Sequence, residues 1–372
     1  EHDSDIDNPN MPMFFVTNFN SAERDVYGVF AERHHEFNNS WRGEFGLRYN
    51  RVEMDAGKVD GTPANMGPGQ MLRDAFNSAQ RDQDDNNVDL VARAWYESGP
   101  RTSWYAGVAQ KHRSPSYQER YLWLPLEATG GLADGNTYTG NINLDPEVSR
   151  QIEFGLDYSD DRFTVSPRVF YSYVDDYIQG TPSAAAPGAA TPGKVVPAVM
   201  FVNMMNQMNG SNNPDPLQFN NVDAELYGLD LDWAWRLGDH WSMSGLVNYV
   251  RGKRDDINDN LYRIAPPNAS IRLDYSANNW SAGVESVMYA KQDNVSETNR
   301  EQDSSGYGVI NLSASWQASP GLQLAAGVDN LFDRKYRDHL GGYNRAANDD
   351  IARGERLPGY GINAFARVVY EF

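Results

Sequence analysis

Residues 41–51, "WRGEFGLRYNR", alternate without a break. Trp41, Gly43, Phe45, Leu47 and Tyr49 share one parity, and Arg42, Glu44, Gly46, Arg48 and Asn50 share the other. Successive side chains of a β-strand point to opposite faces, so the stretch predicts a strand with one apolar and one charged face. The pattern recurs along the chain. "RQIEFGLDYS" (150–159) sets Ile152, Phe154, Leu156 and Tyr158 against Gln151, Glu153 and Asp157. "ELYGLDLDWAWRL" (225–237) sets Tyr227, Leu229, Leu231, Trp233 and Trp235 against Asp230 and Asp232. The chain closes on "INAFARVVYEF" (362–372), where Ala364, Ala366, Val368, Tyr370 and Phe372 oppose Asn363, Arg367 and Glu371. Helical periodicity is confined to "GQMLRDAFNSAQRD" (69–82), expected as an insert in a loop.

Six short connections, at 38–40, 99–101, 159–162, 238–240, 277–279 and 319–321, alternate with long polar ones at about 55–87, 114–149, 181–217, 255–266, 293–306 and 333–360. One end of the predicted sheet is trimmed and the other carries elaborate loops, as in transmembrane barrels. Aromatic residues mark the trimmed end. Phe37, Tyr96, Tyr158, Trp235, Tyr275 and Trp316 precede the short turns, and Trp41, Trp104, Phe163, Trp241 and Trp280 follow five of them. Rings repeated at that level form a girdle where hydrocarbon meets water.

Composition narrows the choice further. The 372 residues include 21 Tyr, 15 Phe and 9 Trp in a polar chain of mean hydropathy −0.65, and no apolar run reaches the roughly 20 residues of a membrane helix. Apolar strand faces in segments of about 10 to 14 residues exceed those of a sandwich, so they are assigned to lipid and the charged faces to a wet lumen. The expected fold is all-β, an antiparallel transmembrane β-barrel. The absence of cysteine removes thiolate metal sites and Cys nucleophiles, and a net charge of −19 without a basic stripe argues against a nucleic-acid partner.

Several stretches carry a family resemblance. "QKHRSPSYQERY" followed by "GNINLDPEVSRQIEFGLDY" resembles the "R-x-P-S/T-x-x-E" loop and "N-L-x-P-E" strand lead of TonB-dependent outer-membrane receptors, through Arg113, Pro115, Ser116, Glu119, Asn143, Leu144, Pro146 and Glu147. "YSYVDDYIQG" and "NNVDAELYGLDLDW" are similar to the strands that follow. The closing segment resembles the "N-L-F-D-x-x-Y" and "P-G-x-G-R" signatures through Asn330, Leu331, Phe332, Asp333, Tyr336, Pro358, Gly359 and Gly361, with Asn363 near the place of the usual Arg.

The resemblance implies a roughly 22-stranded barrel around a plug domain, with a TonB box N-terminal to the plug. Counting back from Phe372 gives about 13 strands, so residues 24–372 are expected to be the C-terminal part of such a barrel and residues 1–23 an extracellular leading segment. Plug and TonB box are expected upstream. A rival count takes "MFFVTNFN" as another strand and closes about 14 strands as a passive porin. The implied setting is the bacterial outer membrane, with its lipid and lipopolysaccharide, the plug and the TonB complex as partners and no nucleic acid.

The sequence offers no convincing catalytic constellation, and an enzyme is not expected. His34, His35 and Glu36 are neighbours on a strand, point alternately, and do not chelate one ion together. Ligand-binding candidates are His112, Arg113, Tyr117, Tyr121 and Trp123 around the receptor-like loop. "MFVNMMNQM" supplies Met200, Met204, Met205 and Met208, soft thioethers suited to Cu(I) in a chain without thiolates; the alternative is that they fill gaps in a folded loop. No resident cofactor is expected, and copper, another metal or a metal chelate such as an iron–siderophore is the expected substrate.

Overall fold

The computed structural model describes residues 1–65, 67–126, 134–182, 196–345 and 350–371. Fifteen strands form one sheet: β1 (His2–Asp7), β2 (Phe15–Asn38), β3 (Trp41–Asp55), β4 (Gln83–Gly99), β5 (Thr102–Arg113), β6 (Tyr138–Thr139), β7 (Glu147–Ser159), β8 (Phe163–Pro182), β9 (Leu217–Arg236), β10 (Trp241–Arg254), β11 (Asn268–Ser276), β12 (Trp280–Tyr289), β13 (Tyr307–Ser319), β14 (Leu322–Asp329) and β15 (Asn363–Tyr370). Each strand pairs antiparallel with the next, except that β5 pairs with β7 and the short β6 adds in parallel to β9. β1 pairs only with residues 15–22 at the start of β2, so thirteen strands build the wall. All six expected short turns join consecutive strands.

Pairing register fixes the faces. Trp41, Phe45 and Leu47 of β3 stand opposite Tyr96, Ala92 and Leu90 of β4, and Val108 of β5 stands opposite Ile152 of β7. Phe45, Leu47, Leu90, Val108 and Ile152 are all exposed, although no second protein layer covers them among the described residues. The opposite parity carries ion pairs, Arg93–Glu44 and Arg168–Asp157, both at 2.7 Å. Girdle rings meet on the outer face: Trp41 and Tyr96 lie 4.7 Å apart, and Tyr275 lies 4.9 Å from Trp241 and 5.1 Å from Trp280.

"MFFVTNFN" is not an additional strand: Phe15–Asn20 begins β2, which continues to Asn38 because the alternation is not interrupted by a turn. The closed porin lacks support, since among the described residues no hydrogen bonds join β15 to β2 and the sheet is open. The terminal strand runs as expected, with Ala364, Ala366 and Val368 opposite Val328, Ala326 and Leu324. Phe372 lies outside the described residues.

The long connections fold together over the loop end of the sheet. They include a 3₁₀ turn (Thr62–Asn65) and the helices α1 (Gly67–Ser78), α2 (Tyr117–Tyr121) and α3 (Val196–Asn209). Their core gathers Val16, Phe19, Val52, Met54, Leu72, Phe76, Tyr121, Trp123 and Phe201. This cap is pinned to the wall by a buried ion pair, in which Arg120 of α2 donates to Asp85 of β4 at 2.8 Å and to the Leu144 carbonyl at 3.0 Å.

Two outcomes are expected. Leu47→Arg should cost about 2–4 kcal/mol in bilayer refolding titrations, whereas Val91→Arg on the charged face should cost less than about 1 kcal/mol. Arg120→Met should destabilise the cap by about 3–5 kcal/mol by stranding Asp85, with much of the loss recovered in the double variant with Asp85→Asn, read by hydrogen exchange of residues 116–124.

Candidate functional site: the loop cap

Arg113 ends β5 and is the organising group of the cap. Its Nε and one Nη donate to the two Glu147 oxygens at 2.7 and 2.6 Å, and its Nη atoms donate to Glu119 at 2.9 and 3.1 Å. Glu119 also accepts the Ser116 N–H at 2.7 Å, while the Ser116 hydroxyl accepts the Glu119 N–H at 3.2 Å, a reciprocal capping box that starts α2. Glu147 accepts the Ile178 N–H as well. The receptor-like "R-x-P-S-x-x-E … P-E" spacing is therefore a fork: one guanidinium ties the loop to two strands.

The other aromatic and His candidates lie in or beside the same packing. Tyr121 is fully buried and its hydroxyl donates to the Arg81 carbonyl at 2.8 Å; Trp123 is buried and its indole N–H donates to the Thr17 carbonyl at 3.1 Å. Neither ring presents surface to a ligand in this conformation. Tyr117 packs against the core edge, 5.0 Å from Phe19 and 4.8 Å from His2. His112 is turned to Asp89 of the wall at 3.1 Å and is mostly covered.

The methionines lie on α3, where the sequence suggested only a loop. Met200, Met204 and Met208 recur every four residues, so they share one stripe of the helix. Met200 and Met208 are exposed, Met204 is half-buried against the cap core, and Met205 packs against that core beside it. α3 ends where Gly210 adopts φ +63°, a left-handed stop that glycine accepts without a Cβ clash. Asn206 then ties back the exit by accepting the Asn213 N–H at 2.9 Å.

Hydrogen bonds between loops lock the rest of the mouth. Asp134 accepts hydroxyl protons from Tyr138 and Tyr262 at 2.5 and 2.8 Å, and buried Glu301 meets His339 at 3.1 Å while accepting the Arg263 and Ser296 N–H groups. The closing signature is a further lock. Asn330 accepts the Arg334 N–H and donates to the Arg334 and Tyr360 carbonyls. A Cβ on Gly359 would fall 2.2 Å from the Tyr336 ring, so the glycine is required for that contact.

The profile described as "TonB dependent receptor-like, beta-barrel" matches residues 2–331. The chain belongs to the TonB-dependent receptor family. Members are bacterial outer-membrane proteins, which puts the aromatic girdle at the periplasmic interface and the loop cap outside the cell. Over 297 residues the chain is 25% identical to a heme/hemopexin utilization protein C of Haemophilus influenzae, covering 73% of this chain and 36% of that protein. It is 25% identical over 250 residues to the ferric enterobactin receptor PirA of Pseudomonas aeruginosa, covering 62% of this chain and 30% of the receptor. In structure it resembles the copper transporter OprC, with TM-score 0.73, 22% identity and coverage of 94% and 48%. It also resembles the FrpB iron transporter of Neisseria meningitidis, with TM-score 0.61, 16% identity and coverage of 94% and 46%. The chain thus spans about a third to a half of these relatives.

The Glu119 carboxylate gives the cap a pH dependence. Burial pushes its pKa up, but the Arg113 hydrogen bonds and charge, with the Ser116 N–H, outweigh it and hold the carboxyl below the usual range. A depressed native pKa adds stability that is present above the unfolded value and is lost as pH falls through the native one. Hydrogen-exchange protection of residues 116–124 should therefore fall below about pH 4, and Glu119→Gln should start lower and lose that acid dependence.

Proposed function

We propose that the chain is the barrel part of an outer-membrane receptor that captures a scarce metal or metal chelate at the cap and imports it with energy delivered through TonB. The outer membrane has neither ATP nor a large ion gradient, so uphill uptake needs an inner-membrane source. The plug domain, TonB, and surrounding lipid and lipopolysaccharide are the proposed partners. Copper is the favoured cargo. The observation behind it is the thioether stripe Met200, Met204 and Met208 on α3, with Met200 and Met208 exposed. Soft sulfur ligands select Cu(I) over hard divalent ions, and the copper transporter similarity supports the same reading.

A second cargo class, an organic metal chelate, has its own support. A cavity of about 580 Å³ on the lumen side is lined by Tyr289, Tyr307 and Tyr336 with Asn311 and Asp338, a size and lining suited to a small organic ligand. The heme and enterobactin relatives favour this class.

Copper uptake by cells carrying the full-length receptor tests the first reading. Uptake should require TonB, and the Met200/Met204/Met208→Leu variant should lose most bound Cu(I), whereas Met205→Leu should keep it. Unchanged copper content in the triple variant would remove copper as the cargo.

A further inference from the structure

We propose that Glu32, His34 and Glu44 form an exchangeable divalent-cation site on the lumen wall, toward its periplasmic end. Glu32 and His34 are two residues apart on β2 and so share the lumen face, and Glu44 of β3 is the direct cross-strand partner of His34. Ligand-bearing atoms of all three lie within 4.8 Å of one another. Two same-face residues on one strand and the residue opposite on the next lie side by side, where adjacent residues such as His34 and His35 diverge.

The imidazole carries a second observation. Its Nε2 lies 2.6 Å from Glu32 and its Nδ1 lies 3.6 Å from Glu44. One ion can take only one ring nitrogen, so a bound cation would sit with that nitrogen and the carboxylate beside it while the second carboxylate closes in. The other Glu44 oxygen is held by Arg93 at 2.7 Å, which orients the carboxylate and leaves its second oxygen toward His34.

Space and access fit an ion that comes and goes. Gly46 stands opposite Glu32, and a Cβ there would meet nothing closer than 3.8 Å, so the face beside the carboxylate is open. One imidazole and two carboxylates suit borderline ions such as Zn²⁺, Mn²⁺ or Fe²⁺, and three protein ligands leave positions for water. This chemistry differs from the thioether stripe and uses none of its residues, so the site stands or falls separately from the copper reading.

Co²⁺ is the probe, added to the intact detergent-purified receptor and followed by its visible absorption and by equilibrium dialysis. His34→Ala and Glu44→Gln should each weaken one Co²⁺ equivalent by roughly tenfold or more, while His35→Ala, on the opposite face, leaves it unchanged. Heat-modifiable gel migration reports that each variant is folded; His34→Gln replaces His34→Ala if the latter is not. Equal Co²⁺ binding by wild type and both ligand variants, or equal loss in His35→Ala, would overturn the site. The Met200/Met204/Met208→Leu variant should retain the Co²⁺ spectrum.

Discussion

Backbone hydrogen bonding in hydrocarbon is the constraint on which the rest of the molecule depends. With no water to satisfy N–H and C=O groups, a membrane-crossing strand must pair on both sides, and only the side-chain faces are free to vary. The eleven wall strands between β2 and β15 obey this with antiparallel ladders of nearly continuous register, and β2 and β15 are the open edges of the wall. Alternation then sorts residues: rings and aliphatics outward, charges inward. A one-residue slip would exchange the two faces, so the pattern and the register specify each other.

This coupling explains why the wall was legible in the sequence. Period-two patterning is local, and the six short turns with their flanking aromatics repeat the same geometry. The cap was less legible. α3 is apolar on most sides, with Val199, Phe201, Val202 and Met205 interrupting any polar stripe, so it has no helical signature beyond the closing Gly210. The family resemblance singled out Arg113, Glu119 and Glu147 among its signature residues, but their convergence joins residues from three parts of the chain and cannot be read from separation alone. For the same reason Tyr121 and Trp123 read as ligand aromatics, although burial makes them cap core.

The lumen cluster shows how a correct rule can be applied at the wrong offset. His34, His35 and Glu36 diverge, as strand geometry demands, yet the same geometry brings His34 to Glu32 and, across the ladder, to Glu44. The informative spacing was i, i+2 with a cross-strand partner. Wall and cap therefore differ in construction: the wall carries charged side chains on its lumen face, while buried ion pairs and Asn or Asp caps tie the loops together.

The assignment of faces is the claim from which all of this follows. Because the chain has no cysteine, single cysteines at Ile152 and Gln151, compared with the unsubstituted receptor, report the two faces of β7. In outer-membrane vesicles the account predicts that Cys at 152 reacts with a membrane-soluble maleimide and resists a charged one, and that Cys at 151 does the reverse. The opposite pattern, or equal reaction of both positions with the charged reagent, would contradict it.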